Sequence, residues 1–131
     1  APFVRPEFIA RGLELVMREG VTSAFSVTKF PFPILRALRI TENGALKMRW
    51  PEYEMVRSND LEEAYHDAGQ FYWLERSSFC KEKKLYGSNT MPVILPRYLV
   101  QDIDTPEDWE TAELMFESIN GKRRRVKGKD A

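Results

Sequence analysis

Proline placement constrains this chain more than any other feature. Eight prolines, at positions 2, 6, 31, 33, 51, 92, 96 and 106, punctuate 131 residues. Each fixes φ and removes a backbone donor, so it suits a helix start, a turn or a sheet edge, and breaks an element interior. Pro6 opens a segment in which Ile9, Leu13, Val16 and Met17 recur at helical spacing up to Gly20, which predicts a helix over 6–19. Residues 22–28 (TSAFSVT) read as a largely buried strand, and Pro31 and Pro33 force 29–33 into an extended or turning path. Residues 35–40 and 45–50 read as hairpin strands about Asn43-Gly44, and 51–63 as polar and irregular. Strands are predicted over 69–74 (GQFYWL), 92–96 and 98–100, and a short helix over 77–84. The clearest helix is 105–119: Thr105 is its N-cap, Pro106 its first position, and Asp108 takes the capping-box position. Trp109, Ala112, Phe116 and Ile119 make its apolar face, and Asn120-Gly121 ends it. The coarse expectation is a mixed α/β fold.

Composition agrees with one globular domain: 43% of residues are hydrophobic and 31% charged. No apolar run is long enough to span a bilayer, and no secretory signal is visible, so no membrane partner is expected. The single cysteine, Cys80, cannot form an internal disulfide and is expected to be a small buried hydrophobe, which suits a cytoplasmic protein. Basic and acidic residues balance at 20 each, yet residues 121–131 hold six basic residues and one acid. The body, 1–120, therefore carries fourteen basic and nineteen acidic residues. An acidic body argues against nucleic-acid binding and suits a divalent-metal site. Nucleic-acid binding through Arg123, Arg124 and Arg125 is improbable on this balance; residues 122–131 are expected to be a disordered basic tail. The chain starts Ala-Pro-Phe without an initiator Met and is expected to be a piece of a longer protein.

Two constellations can carry chemistry. In the segment 101–108 (QDIDTPED), Asp102 and Asp104 lie on one side of an extended chain, as two carboxylates for magnesium would. Acids and Thr before a helix also cap it, and spacing alone favours capping. The segment 62–73 (EEAYHDAGQFYW) holds the only histidine, His66, with Asp67, Gln70 and Tyr72 to hydrogen-bond hydroxyls, aromatic faces to pack on a sugar, and Gly69 to admit a close backbone. Composition alone favours an aromatic core strand there.

Read together, FSVTKFPFPILRAL (25–38), AYHDAGQFYW (64–73) and PVILPRYLVQDIDTPEDW (92–109) resemble the C-terminal part of the cytidylyltransferases that activate nine-carbon 2-keto sugar acids, the pseudaminic acid cytidylyltransferases and CMP-sialic acid synthetases. The resemblance runs from about Ala1 to Asn120 and leaves the basic tail outside. It implies the C-terminal part of a Rossmann-like fold with a mixed sheet over 1–121, and a dimerisation arm at about 29–63. It implies transfer of CMP from CTP to the sugar acid with release of pyrophosphate, Mg2+ as cofactor, and a homodimer. Asp102 and Asp104 inherit metal binding and the catalytic role. Gly69 and Tyr72 match the family's sugar-facing Gly-x-x-Tyr motif, with His66, Asp67, Gln70 and Phe71 on the same segment. Arg57 and Arg36 are further candidates for the sugar carboxylate. His66 stands where sialic acid enzymes typically have arginine, which points to pseudaminic acid; sialic acid is the alternative.

The family's glycine-rich, basic CTP-binding stretch has no counterpart in this sequence. Nucleotidyl transfer depends on positioning the triphosphate, so the chain alone is expected not to turn over CTP. A non-catalytic sugar-binding or assembly module is the competing expectation.

Overall fold

The computed structural model describes the backbone of residues 1–127 and the side chains of 1–121. The expected disordered tail, 122–131, thus has its side chains, and its last four residues altogether, outside the described residues. The elements are α1 (Pro6–Val16), β1 (Ser23–Lys29), β2 (Leu38–Ile40), β3 (Leu46–Met48), β4 (Tyr65–Leu74), α2 (Arg76–Glu82), β5 (Thr90–Leu95) and α3 (Pro106–Lys127). They fall into two compact units: one takes in Ala1–Thr28 and the chain from Asp67 onward, the other Lys29–His66.

In the first unit, β1 lies between β4 and β5. β1 and β5 run parallel, with Ser23 opposite Thr90 and Thr28 opposite Leu95. β4 runs the other way: Glu75 N donates to Thr22 O, while Gln70 and Phe71, earlier in β4, meet Ser26, later in β1. The sheet is therefore mixed, as expected. One face carries Ala24, Ala68, Val93 and Leu95 and is covered by Leu15 of α1, with Phe8, Val16, Phe71, Trp73 and Met91 packed around them. Alternation along β5 sends Met91, Val93 and Leu95 inward and leaves Ile94 exposed. Gly12 lets α1 lie this close: a Cβ there would sit 2.6 Å from Trp73 Cδ1 and 2.8 Å from Phe71 Cε2. A second cluster joins Phe3, Leu99 and Ala112, with Ile103, Met115 and Ile119 against it.

Several expectations need correction. Residues 98–100 are not a strand. Pro96 starts a 3-10 turn, Arg97–Leu99, closed by Leu99 N to Pro96 O at 2.9 Å, and the turn buries Leu99. The segment 35–40 is strand only at Leu38–Ile40, because a 3-10 turn at Ile34–Arg36 follows Pro33. The core face of α3 is Ala112, Met115 and Ile119, while Trp109 and Phe116 are 56% and 59% exposed. α3 also runs past Asn120-Gly121 to Lys127. Cys80 is exposed, on a short helix whose N-cap, Glu75, accepts from Ser77 N and Ser78 N. The Ser77 hydroxyl, which donates to Glu75 Oε2 at 2.6 Å, together with these amides holds the Glu75 carboxyl down at about 2.

The strand β4 begins at Tyr65, earlier than its aromatic run suggests. Ala68 and Phe71 are three positions apart yet join the same core cluster, which regular alternation forbids. The extra residue sits at Gly69, whose φ is +63°, and its N–H donates to Asp67 Oδ1 at 2.8 Å. This is a β-bulge with glycine in the left-handed region. A Cβ at Gly69 would meet nothing within 4 Å, so its conformation, not space, demands glycine. Gly69→Ala should therefore cost about 1–2 kcal/mol in stability, the usual strain of a left-handed alanine, read by urea denaturation. A neutral substitution would show that the bulge relaxes.

The second unit contains the predicted hairpin. β2 and β3 pair antiparallel, Ile40 opposite Leu46, and Thr41 N bonds Ala45 O across a turn in which Gly44 has φ +79°. Lys29 pairs with Glu63, and Phe30 N donates to Ala64 O at 3.0 Å. Phe32, Ile40, Leu46 and Met55 are all more than 60% exposed.

Candidate functional site

The Gly69 bulge determines what the outer face of β4 presents. It brings Asp67 and Tyr72 together: the Tyr72 hydroxyl donates to Asp67 Oδ2 at 2.5 Å. That bond, partial burial, and the nearby charges of Asp67, Tyr86 and Asp102 push the Tyr72 phenol up to about 12. Tyr72, 40% exposed, presents its ring and its Asp67-bonded hydroxyl at the surface. Beneath it, buried Phe25 packs on Tyr72 at 5.5 Å and edge-on to Tyr86 at 5.0 Å.

The charge of Asp102 is among those that raise the Tyr72 phenol, so these two first-unit residues lie within electrostatic reach of each other. Gln70 ties them mechanically. Its Nε2 donates to Leu99 O at 2.5 Å, just before the segment that carries both aspartates. Its Oε1 is buried without a hydrogen-bond partner among the described residues. After Leu99 residues 101–103 form no regular element; Ile103 packs on the second core cluster, and Asp102 and Asp104 flank it, exposed.

Capping of α3 is carried by other residues. Asp108 Oδ2 accepts from Thr105 N at 2.9 Å, Thr105 Oγ1 at 2.7 Å and Asp104 N at 3.2 Å, and Asp108 N returns a bond to Thr105 Oγ1. The Thr105 hydroxyl and these amides hold the Asp108 carboxyl below its usual range. Gln101 Nε2 reaches Asp102 O and Asp108 Oδ1, bracing the same loop. Among the described residues the Asp102 and Asp104 carboxylates therefore do not cap α3; Asp102 Oδ1 accepts locally, from Ile103 N at 3.2 Å.

This donor set fits magnesium. No cluster of three or more His, Cys, Asp or Glu side chains occurs among the described residues. Magnesium does not need one, because it keeps several waters and takes one or two carboxylates plus substrate phosphate.

The remaining candidates lie elsewhere. Phe71 packs on the core face beneath α1. His66, Arg36 and Arg57 belong to the second unit. There the His66 ring lies 4.8 Å from Phe30, and Arg36 Nη1 donates to Ser58 Oγ at 3.2 Å. Arg57 precedes the 3-10 turn Ser58–Asp60 and is exposed. The residues missed from sequence are Phe25 and Tyr86, which support Tyr72; Tyr86 stands in a polar stretch with no periodic signal.

No family model matches the chain. Two curated proteins do, both called pseudaminic acid cytidylyltransferase, from Campylobacter jejuni serotypes O:2 and O:23/36. Each is 33% identical over 116 residues, 88% of this chain and 50% of the relative. The chain thus spans about half the length of these relatives. Over most of its own length it is therefore related to one portion of the pseudaminic acid cytidylyltransferases.

Proposed function

We propose that this chain is the metal- and sugar-facing part of an enzyme that transfers CMP from CTP to pseudaminic acid. The observation that carries the reading is the Gln70–Leu99 hydrogen bond, which ties the segment bearing the exposed Asp102 and Asp104 to the strand bearing the Tyr72–Asp67 pair, in a chain 33% identical to enzymes of that name. In the reaction the anomeric hydroxyl attacks the α-phosphate, the bond to pyrophosphate breaks, and the hydroxyl proton leaves. Bound magnesium would supply positive charge against the phosphate oxygens and the leaving group. Asp102 and Asp104 hold it. Tyr72 offers the sugar an aromatic face and a protonated phenol, with Asp67 orienting that phenol. Gln70 keeps the aspartate segment beside the bulge. For His66, Arg36 and Arg57, which belong to the second unit, a role toward the sugar's carboxylate and acyl groups is proposed from the resemblance alone.

The Rossmann-like fold, the homodimer and a cytoplasmic location, where CTP is supplied, belong to the same proposal. The exposed apolar side chains of the second unit support its reading as a dimer arm. No helix among the described residues is long and apolar enough to cross a membrane. The chain alone should bind the sugar acid but not turn over CTP. Titration of pseudaminic acid into the protein with magnesium should shift amide resonances at Gln70 and Tyr72. A spectrum that does not respond would sink the sugar reading, and rapid pyrophosphate release from CTP would sink the inactivity.

A further inference from the structure

At a bulge the ladder is locally disrupted, and the amides beside it can take other acceptors. In β4 those amides belong to Gln70 and Phe71, and one side chain answers them. Ser26, fully buried on the central strand β1, places its Oγ 3.1 Å from Gln70 N and 3.3 Å from Phe71 N and accepts from both. The hydroxyl also lies 3.5 Å from Phe71 O, to which it donates. The turn from Asp67 to Tyr72 is therefore pinned twice: by Asp67 Oδ1 on Gly69 N, and by Ser26 on the two following amides. Between those pins lies the geometry that lets Asp67 Oδ2 receive the Tyr72 hydroxyl. An apolar side chain at position 26 would remove this acceptor from both amides.

We propose that Ser26 is a positioning residue. Its hydroxyl holds the Gly69 bulge in shape, and through the bulge it keeps Tyr72 on Asp67 in the arrangement that meets the sugar. The last step rests on the sugar-facing reading of Tyr72 given above; the first does not.

The test compares Ser26→Ala with the parent chain and with Asp67→Ala, using the Tyr72 Cζ carbon shift, which reports the phenol's bond to a carboxylate. In Ser26→Ala that shift should move to the value seen in Asp67→Ala, and affinity for pseudaminic acid should fall about tenfold or more, the size expected for a lost oriented hydrogen bond. Ser26→Thr, which keeps the hydroxyl, should retain the parent shift. A folded Ser26→Ala with the parent Tyr72 shift would overturn the positioning role. A moved shift with unchanged sugar affinity would overturn the sugar-facing reading and leave the positioning intact. Should Ser26→Ala not fold, amide exchange in the parent chain decides. Slow exchange at Gln70 and Phe71 supports the pin, and exchange at the rate of open loops overturns it.

Discussion

Asp102→Asn should lower CMP transfer by on the order of a hundredfold or more in an enzyme of the relatives' full length that carries this segment. Asparagine keeps the shape and removes the charge that would hold magnesium under the proposed function. Asp104→Ala should do the same, and the double variant should be little worse than either single one, because both act through one ion. Folding should be untouched, within about 0.5 kcal/mol, since both side chains are exposed and Thr105 with Asp108 caps the helix. Pyrophosphate release at varied magnesium, with urea denaturation alongside, measures both. Asp102→Asn retaining most of its rate at low magnesium would remove Asp102 from the metal site.

The largest effect on stability should come from Leu99→Ala. Leu99 is 2% exposed and joins Phe3 and Ala112 in the second core cluster. Its truncation removes the hydrophobic transfer energy and leaves a cavity, at about 2–5 kcal/mol. The backbone carbonyl of Leu99 is also the acceptor for Gln70, so the aspartate segment should loosen with the core. Denaturation midpoints test the first part, and exchange of the Ile103 and Asp104 amides tests the second. A loss under about 1 kcal/mol would mean that the cluster collapses to fill the space.

Local signals were legible in the sequence, and long-range ones were not. Thr105, Pro106 and Asp108 announce the start of α3 because a capping box is a short-range device, and the structure closes those bonds. Asn43-Gly44 likewise announces the β2–β3 turn. The start of β4 was hidden because the bulge at Gly69 breaks the period-two pattern, and because His66 and Asp67 dilute the apolar run. Which face of α3 is buried depends on where Phe3 and Leu99 lie, so Met115 displaced Trp109 and Phe116 for reasons outside the helix. Asp102 and Asp104 were singled out by a spacing that alone favoured capping, and only the resemblance assigned them a metal. The partners of Tyr72 were not, since Phe25 and Tyr86 reach it only through the sheet's topology. Ser26 gave no signal at all; a serine in a strand reads as neutral until the bulge beside it is seen.

The order of the chain through the first unit has one more consequence. β1 and β4 are antiparallel neighbours, yet the whole second unit is threaded between them, entering after Thr28 and returning at Asp67. Two adjacent antiparallel strands need only a tight turn, so the excursion is an insertion in the topological sense. The entropy of closing such a segment grows only slowly with its length. Its contents can therefore be rewritten, lengthened or exchanged between relatives while the strands that carry the bulge and the aspartate segment stay in register. A lineage can thus change the excursion, His66, Arg36 and Arg57 included, while Tyr72, Asp67 and the aspartate segment keep their places.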